Sequence, residues 1–404
     1  MNGNTMKWLK KQYYKFISSI AFLPALTALL FLFLSWLLLE FDYSETGKSL
    51  KTQWQWLRLK DASTARSIIS TIAAGIISLT VFSFSMVMIV LNQAASQLSN
   101  RVLDKLIGNR FQQVVLGFYI GTIVYALFLL STIRDIDAGV YVPAISTYLL
   151  IFFTVWDIFL FIYFLHYITQ SVKYETIIQR IYRQTEEALA TSCMNKTQTA
   201  AIIPVGEGIA IKAAASGIYQ GFDQNNLLEL CQQHDLQLTF IYPSTTFVLK
   251  GTPLLLAVNQ QTMSKKLEGQ IQQTINLDNT ETILTNYFYG FRQLMEVAVK
   301  ALSPGINDPG TAVISLHALA DLLAYRAQHF PEVLVKDEAG GVRITVKEKT
   351  FDEIFSECIL PIWDYGKEDR VMRHAMVQVL SQLQAFSDST VLQQLLRTIQ
   401  TSLI

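Results

Sequence analysis

Signatures of catalysis are missing from this chain. It has no Walker loop, no Gly-x-Ser-x-Gly elbow, no His-Glu-x-x-His and no dinucleotide fingerprint. Its five histidines are scattered, and His234 beside Asp235 reads as a solvated surface turn. The chain is therefore read as a non-enzyme with no catalytic residues, no cofactor and no metal set. Charge is scarce and balanced: 16% of the residues are charged, with 32 Lys and Arg against 32 Asp and Glu. Without net charge or a long basic run, nucleic acid is not an expected partner. Cysteine is scarce too. Cys193, Cys231 and Cys358 have neither metal nor redox spacing and read as free thiols in a reducing compartment. No small-x-small cleavage site follows the first apolar run, which exceeds the roughly 7–15 residues of a signal h-region. That run reads as a span rather than a cleaved leader.

What the chain has instead is apolar length. Half of it is hydrophobic (51%), and the excess falls in the first 170 of 404 residues. Four stretches reach the roughly 20 apolar residues needed to cross a hydrocarbon core: Phe16–Leu39, Arg66–Leu91, Phe111–Ile133 and Val142–Ile168. The expected fold is a polytopic α-helical membrane domain of four transmembrane helices over residues 1–173, then a cytoplasmic α+β domain over 174–404. Within the latter, strands are expected at about 196–260 and mainly helices at about 280–404. Loop charges set the orientation. Lys7, Lys10, Lys11, Lys15, Arg101, Lys105, Arg110, Lys173, Arg180 and Arg183 stand against Lys48, Lys51, Arg58, Lys60 and Arg134. Ten against five places both termini in the cytoplasm. Trp54 and Trp56 mark the headgroup level on the other side, and Pro24 invites a kink in the first span.

Span two carries a small polar residue at every seventh position: Thr64, Thr71, Ser78, Ser85, Asn92 and Ser99. Seven residues are nearly two turns, so these lie on one drifting stripe. Lipid cannot satisfy hydroxyls or an amide, so the stripe is expected to face another helix or water. Thr71, Ser78, Ser85 and Asn92 are thus candidates for a pore lining or a helix interface. Thr71, Gly75 and Ser78 on span two, and Gly117-x-x-x-Gly121 on span three, are small enough for close helix contact. Asp157, near the middle of span four, is a functional candidate by default. The other reading is a neutral acid hydrogen-bonded to a neighbouring helix. His166 lies near the interface, about half a turn round from Asp157.

Beyond residue 174 the pattern becomes mixed. Residues 174–195 read as a helix, Ile202–Lys212 as β-prone, Leu227–His234 as a short helix and Gln237–Tyr242 as a strand. Thr246–Val258 reads as strand, Gly-x-Pro turn, strand, similar to a hairpin of barrel-sandwich lipoyl carriers but lacking the carrier lysine. A helix is expected over Thr282–Leu302, with Arg292, Glu296 and Lys300 forming an i, i+4, i+8 ladder on one face. In Ala301–Ala312, Ser303-Pro304-Gly305 ends that helix. Asp308 caps the next, with Pro309 at its first position, running to about Gln328. The same turn (Ser303, Asn307, Asp308, Thr311) has an alternative use as an anion or ligand site, because free N–H groups converge at a helix start. A hairpin around Gly340-Gly341 and two C-terminal helices complete the expectation.

Three stretches resemble one family, the bacterial DUF2254 predicted membrane proteins. Ala94-Ala-Ser-Gln-Leu-Ser-Asn-Arg-Val-Leu103 is similar to its Ser-Ser-Gln-Phe-Ser-Pro-Arg stretch, with Asn100 where the family has Pro. Ser216–Asp223 is similar to its Ser-Gly-Tyr-x-Gln-x-x-Asp. Ala301–Ala312 resembles its Ala-Leu-Ser-Pro-x-Ile-Asn-Asp-Pro-x-Thr-Ala signature, the most specific of the three. The resemblance implies four spans and a soluble C-terminal domain, and no activity. The resulting expectation is a homo-oligomer in the bilayer of the bacterial inner membrane. It forms a pore for ions or small solutes that the cytoplasmic domain gates or assembles. The alternative is a non-conducting anchored sensor or scaffold whose cytoplasmic domain binds a ligand or protein.

Overall fold

The structure, a computed structural model, describes residues 21–54, 61–97, 110–133, 143–171, 173–197, 208–258, 260, 262–278, 281–283 and 286–402. The chain divides into two compact units, Met1–Lys173 and Tyr174–Ile404.

The first unit is helical: α1 Phe22–Tyr43, α2 Glu45–Gln53, α3 Ala62–Gln97, α4 Arg110–Thr132 and α5 Ala144–Ser171. All but the short α2 are long and apolar enough to cross a membrane, with mean hydropathy of 2.2 to 2.3. A lone spanning segment must satisfy its own backbone in lipid, and only a helix does so. The central member is α4. Its apolar stretch is 44% buried against 17% for each of the others. Gly117 and Gly121 explain the close contact with α1. A Cβ at Gly117 would stand 2.4 Å from Thr27 Oγ1, and one at Gly121 would stand 2.8 Å from the Phe31 ring. That small-x-x-x-small pair therefore packs helices. Phe31, Tyr125, Leu129 and Leu150 fill the interior. Pro24 is the third residue of α1, inside the first turn, where no helical hydrogen bond is lost and no kink follows. At about 1.5 Å per residue, the 36 residues of α3 measure about 54 Å, well past a hydrocarbon core of about 30 Å.

The second unit begins with α6 Tyr174–Ser192 and is α+β. Its first half holds β1 Gly208–Lys212, β2 Gly217–Phe222, α7 Gln224–Gln233, β3 Gln237–Phe240, β4 Phe247–Val248, β5 Pro253–Val258, α8 Lys265–Thr274 and β6 Ile275–Asp278. Then come α9 Tyr287–Leu302, α10 Pro309–Gln328, β7 Leu334–Lys336, β8 Val342–Thr345, α11 Phe351–Gly366, α12 Arg370–Leu383 and α13 Thr390–Ser402. The strands form two sheets, β1-β5-β3-β8-β7 and β4-β2-β6, antiparallel except for β3 with β8. Between the sheets Tyr219 and Phe222 stack on Phe240, with centroids 5.1 and 4.8 Å apart.

Three expectations change here. Thr246–Val258 is not a hairpin: β4 pairs with β2, while β5 pairs with β1 and β3. The chain crosses between sheets at Gly251, whose φ of +88° suits glycine and whose N–H bonds Ala213 O. The sheet is also not confined to about 196–260, because the β7–β8 hairpin at Gly340-Gly341 adds to its edge through β3. Three C-terminal helices are present, not two; α11 starts with a capping box between Thr350 and Glu353. Arg292 of α9 also bonds Glu281 at 2.7 Å. The helical layer gathers around α9. A Cβ at Gly290 would fall 1.8 Å from Thr185 Oγ1 of α6, and Ser315 of α10 bonds Leu294 O at 2.6 Å.

Candidate functional site in the membrane bundle

Helix α3 turns its apolar small side inward. Ala65, Ile69, Ala73 and Ile76 are at most 5% exposed. At 100° per residue, Thr64, Thr71, Ser78, Ser85 and Asn92 fall on the opposite side, and all five are exposed. Ser99 lies outside the described residues, as do most of the N-terminal and loop cations counted for orientation. The stripe hydroxyls bond within their own helix: Thr71 to Ser67 O at 2.7 Å, Ser78 to Ala74 O at 2.9 Å and Ser85 to Val81 O at 2.9 Å. This back-bonding corrects the premise that such hydroxyls need an outside partner. What stands out is size. From Thr64 to Ser78 the outward sector holds Ser67, Thr71, Ala74 and Gly75, and a Cβ at Gly75 would meet nothing within 4 Å. Further along, Phe82 and Ile89 share the sector, 52% and 59% exposed.

Asp157 sits inside the bundle, not on its surface. It is the middle residue of the 27-residue apolar stretch Ala144–Gln170 and is fully buried. Ser83 of α3 and Tyr119 and Thr122 of α4 are buried with it. Five oxygens result: two carboxylate, two aliphatic hydroxyl and one phenolic. None makes a hydrogen bond of acceptable geometry, although Thr122 stands beside Asp157 and Ser83 beside Tyr119. A cavity of about 280 Å³ reaches this group, with Ser83 and Tyr119 among its lining residues. His166 is exposed and apart from it.

The second buried carboxylate was not legible from the sequence. Asp42, at the end of α1, accepts from Ser146 N at 2.8 Å, Ser146 Oγ at 2.6 Å and Ile145 N at 3.2 Å. These are the first donors of α5, so Asp42 caps that helix from another one. Lys51 of α2 stands 3.2 Å from the same carboxylate and donates to Asp42 O at 2.8 Å. Lys51 is 4% exposed, so it is a buried partner and not a free loop charge.

In the second unit, the Ser303–Thr311 turn is knit to itself. Asp308 accepts from Thr311 N at 3.1 Å and Thr311 Oγ1 at 2.6 Å, capping α10 with Pro309 in its first turn. Ser303 Oγ bonds Lys300 O at 2.6 Å, and Asn307 takes a left-handed φ of 51°. The Asp308 carboxylate thus takes up the Thr311 N–H at this helix start. Elsewhere a groove of about 440 Å³ lies between α10 and α12, lined by His317, Asp321, Gln378, Gln382 and Phe386. Tyr182 donates to Asp321 there. At the end of α10, the buried Arg326 donates to His329 O at 3.2 Å and Lys349 O at 2.9 Å. Beside it, burial pushes the Glu348 carboxyl up to about 7 against the opposing pull of Arg326 and Tyr287. Burial also raises the Cys193 thiol to about 11 and the Cys231 thiol to about 12. All three cysteines are buried free thiols. Among the described residues, no three His, Cys, Asp or Glu side chains gather as a metal set.

Four apolar helices long enough to cross a membrane, followed by an α+β unit, place the chain in the class of predicted multi-span membrane proteins with a large appended domain. The chain belongs to the DUF2254 family of predicted membrane proteins, whose model matches residues 17–382. It is similar to the uncharacterized proteins Mb1321c of Mycobacterium bovis and Rv1290c of Mycobacterium tuberculosis. Each is 25% identical over 331 residues, covering 78% of this chain. The chain spans 63% of the length of those relatives. No solved structure matches.

Proposed function

We propose that copies of this chain assemble in the bacterial inner membrane through the outward face of α3. Ions or small solutes then pass along that face, with the second unit on the cytoplasmic side holding or gating the assembly. The observation that carries this reading is the small outward sector from Thr64 to Ser78, opposite the face α3 uses within its own bundle. Small residues let a second helix approach closely, which is how helices associate where lipid removes the hydrophobic drive.

Cysteine scanning in vesicles tests it. Cysteines at Thr71 and Ser78 should cross-link between copies, and those at Thr71, Ser78 and Ser85 should react with small water-soluble thiol reagents. The buried Ile76 position should do neither. The native thiols contribute little background, being buried. Protection of all three stripe positions in assembled protein would leave a dry contact and remove the permeation path. The second reading, a non-conducting sensor or scaffold, draws on the α10–α12 groove as a binding surface. Under it, assembled protein would give no liposome flux.

A further inference from the structure

We infer that Asp157 is the centre of a binding site for one sodium-sized monovalent cation inside each copy of the bundle. Such a site is independent of any path between copies. Its ligands are the Asp157 carboxylate and the hydroxyls of Ser83, Tyr119 and Thr122. These five oxygens are the buried side-chain polar atoms of the first unit that lack a hydrogen bond among the described residues. They come from three helices, α3, α4 and α5, and converge on the level where Asp157 divides its span in half.

The donor set selects the ligand. Every atom is oxygen, which suits a hard cation and not a soft one. A proton on Asp157 lets the hydroxyls pair two by two, Thr122 with Asp157 and Ser83 with Tyr119, without drawing the five oxygens onto one centre. A metal cation takes lone pairs from all five at once. A divalent ion would leave a net positive charge at the centre of the span, which the bilayer disfavours, whereas a monovalent ion cancels the single carboxylate.

The cavity supplies an approach to the site. Gln112 and Gln113 near the start of α4, Phe84 of α3 and Phe164 of α5 line it together with Ser83 and Tyr119. From Gln112 to Tyr119 is about 10 Å along the helix. Its lining is mostly apolar, with Gln112, Gln113, Ser83 and Tyr119 the polar groups along it. Towards the other end of the bundle, Phe31, Tyr125, Phe153 and Leu129 pack against one another. The arrangement is a cation site with a cavity running from it along the start of α4.

Carbodiimide labelling of full-length protein in lipid nanodiscs tests this. Dicyclohexylcarbodiimide modifies a buried carboxyl only when it carries a proton, so a bound metal cation protects it. At fixed pH, NaCl at about ten times its dissociation constant should slow modification of Asp157, mapped by peptide mass spectrometry, about tenfold. Equal KCl or choline chloride should not. Asp157→Asn should abolish modification at that site, and Thr122→Val and Ser83→Ala should each weaken sodium protection while keeping the carboxyl reactive. Labelling that follows pH but ignores sodium would overturn the metal site and leave a protonated acid. Failure to label under any condition, in protein shown to be folded, would overturn the approach.

Discussion

Among the described residues of the bundle, two aspartates are wholly buried, and they are treated in opposite ways. Asp42 receives two backbone N–H groups, a hydroxyl and an ammonium. Asp157 receives no bond of acceptable geometry to either oxygen. Both are fully buried, and only one finds hydrogen-bond partners in the fold. A satisfied buried charge reads as a clamp. An unsatisfied one, held where hydroxyls surround it, reads as a place prepared for something else.

The sharpest way to break this comparison is to remove each carboxylate in turn. Asp42→Ala strands Lys51 in the interior and uncaps α5, and should cost about 3–5 kcal/mol. Asp157→Asn removes a charge the fold leaves unpaired and should leave stability unchanged or higher in the absence of sodium. Thermal unfolding of both variants in one detergent checks the pair, and equal losses would erase the distinction.

A smaller effect tests a third buried carboxyl, in the second unit. Glu348 ionises near 7 when folded, above its ordinary value of 4.5. A raised carboxyl pKa means the folded state holds its proton more tightly. Its stabilising contribution is therefore full below about 4.5 and is lost as pH rises through 7. That loss is at most about 3 kcal/mol, reduced because Glu348 keeps some contact with solvent. Glu348→Gln should flatten this part of the stability–pH curve, as read by chemical denaturation at several pH values. An unchanged slope would show that Glu348 is not its source.

The smallest expected effect belongs to the signature turn. Asp308→Ala removes the α10 cap and should cost about 0.5–2 kcal/mol, with Asp308→Asn recovering much of it. Stability left intact in the Ala variant, with an anion lost from the protein, would make the turn a site and not a cap.

How much of this was readable beforehand depends on distance along the chain. The spans were legible because apolar length is a local property, and so was Asp157, an acid in a long apolar run. Its companions were not. Ser83, Tyr119 and Thr122 are common residues in such helices, and only the packing of α3, α4 and α5 turns them inward together. The stripe on α3 was visible as a period, but its direction depended on which face α4 and α5 cover. The Asp308 cap and the Gly340-Gly341 hairpin were local and readable. The assignment of β4 and β5 to different sheets was not, because a strand–turn–strand pattern says nothing about which neighbours each strand will find. Lys51 was misjudged for the same reason: its partner's other bonds go to Ile145 and Ser146, about a hundred residues away.

That separation has a consequence for how the protein is made. Asp42 and Lys51 can meet as soon as the first span and its short following helix have emerged. The helix start they are built to receive is synthesised about 5 to 20 s later, at ribosomal rates of about 5–20 residues per second. Until then the pair stands ready at the end of the first span, and the backbone donors of Ile145 and Ser146 do not yet exist. Arrival of the fourth span closes the ring between the first and last helices. Integration of the bundle is thus registered by one residue, and a chain stalled after three spans would carry an open acceptor that marks it as unfinished.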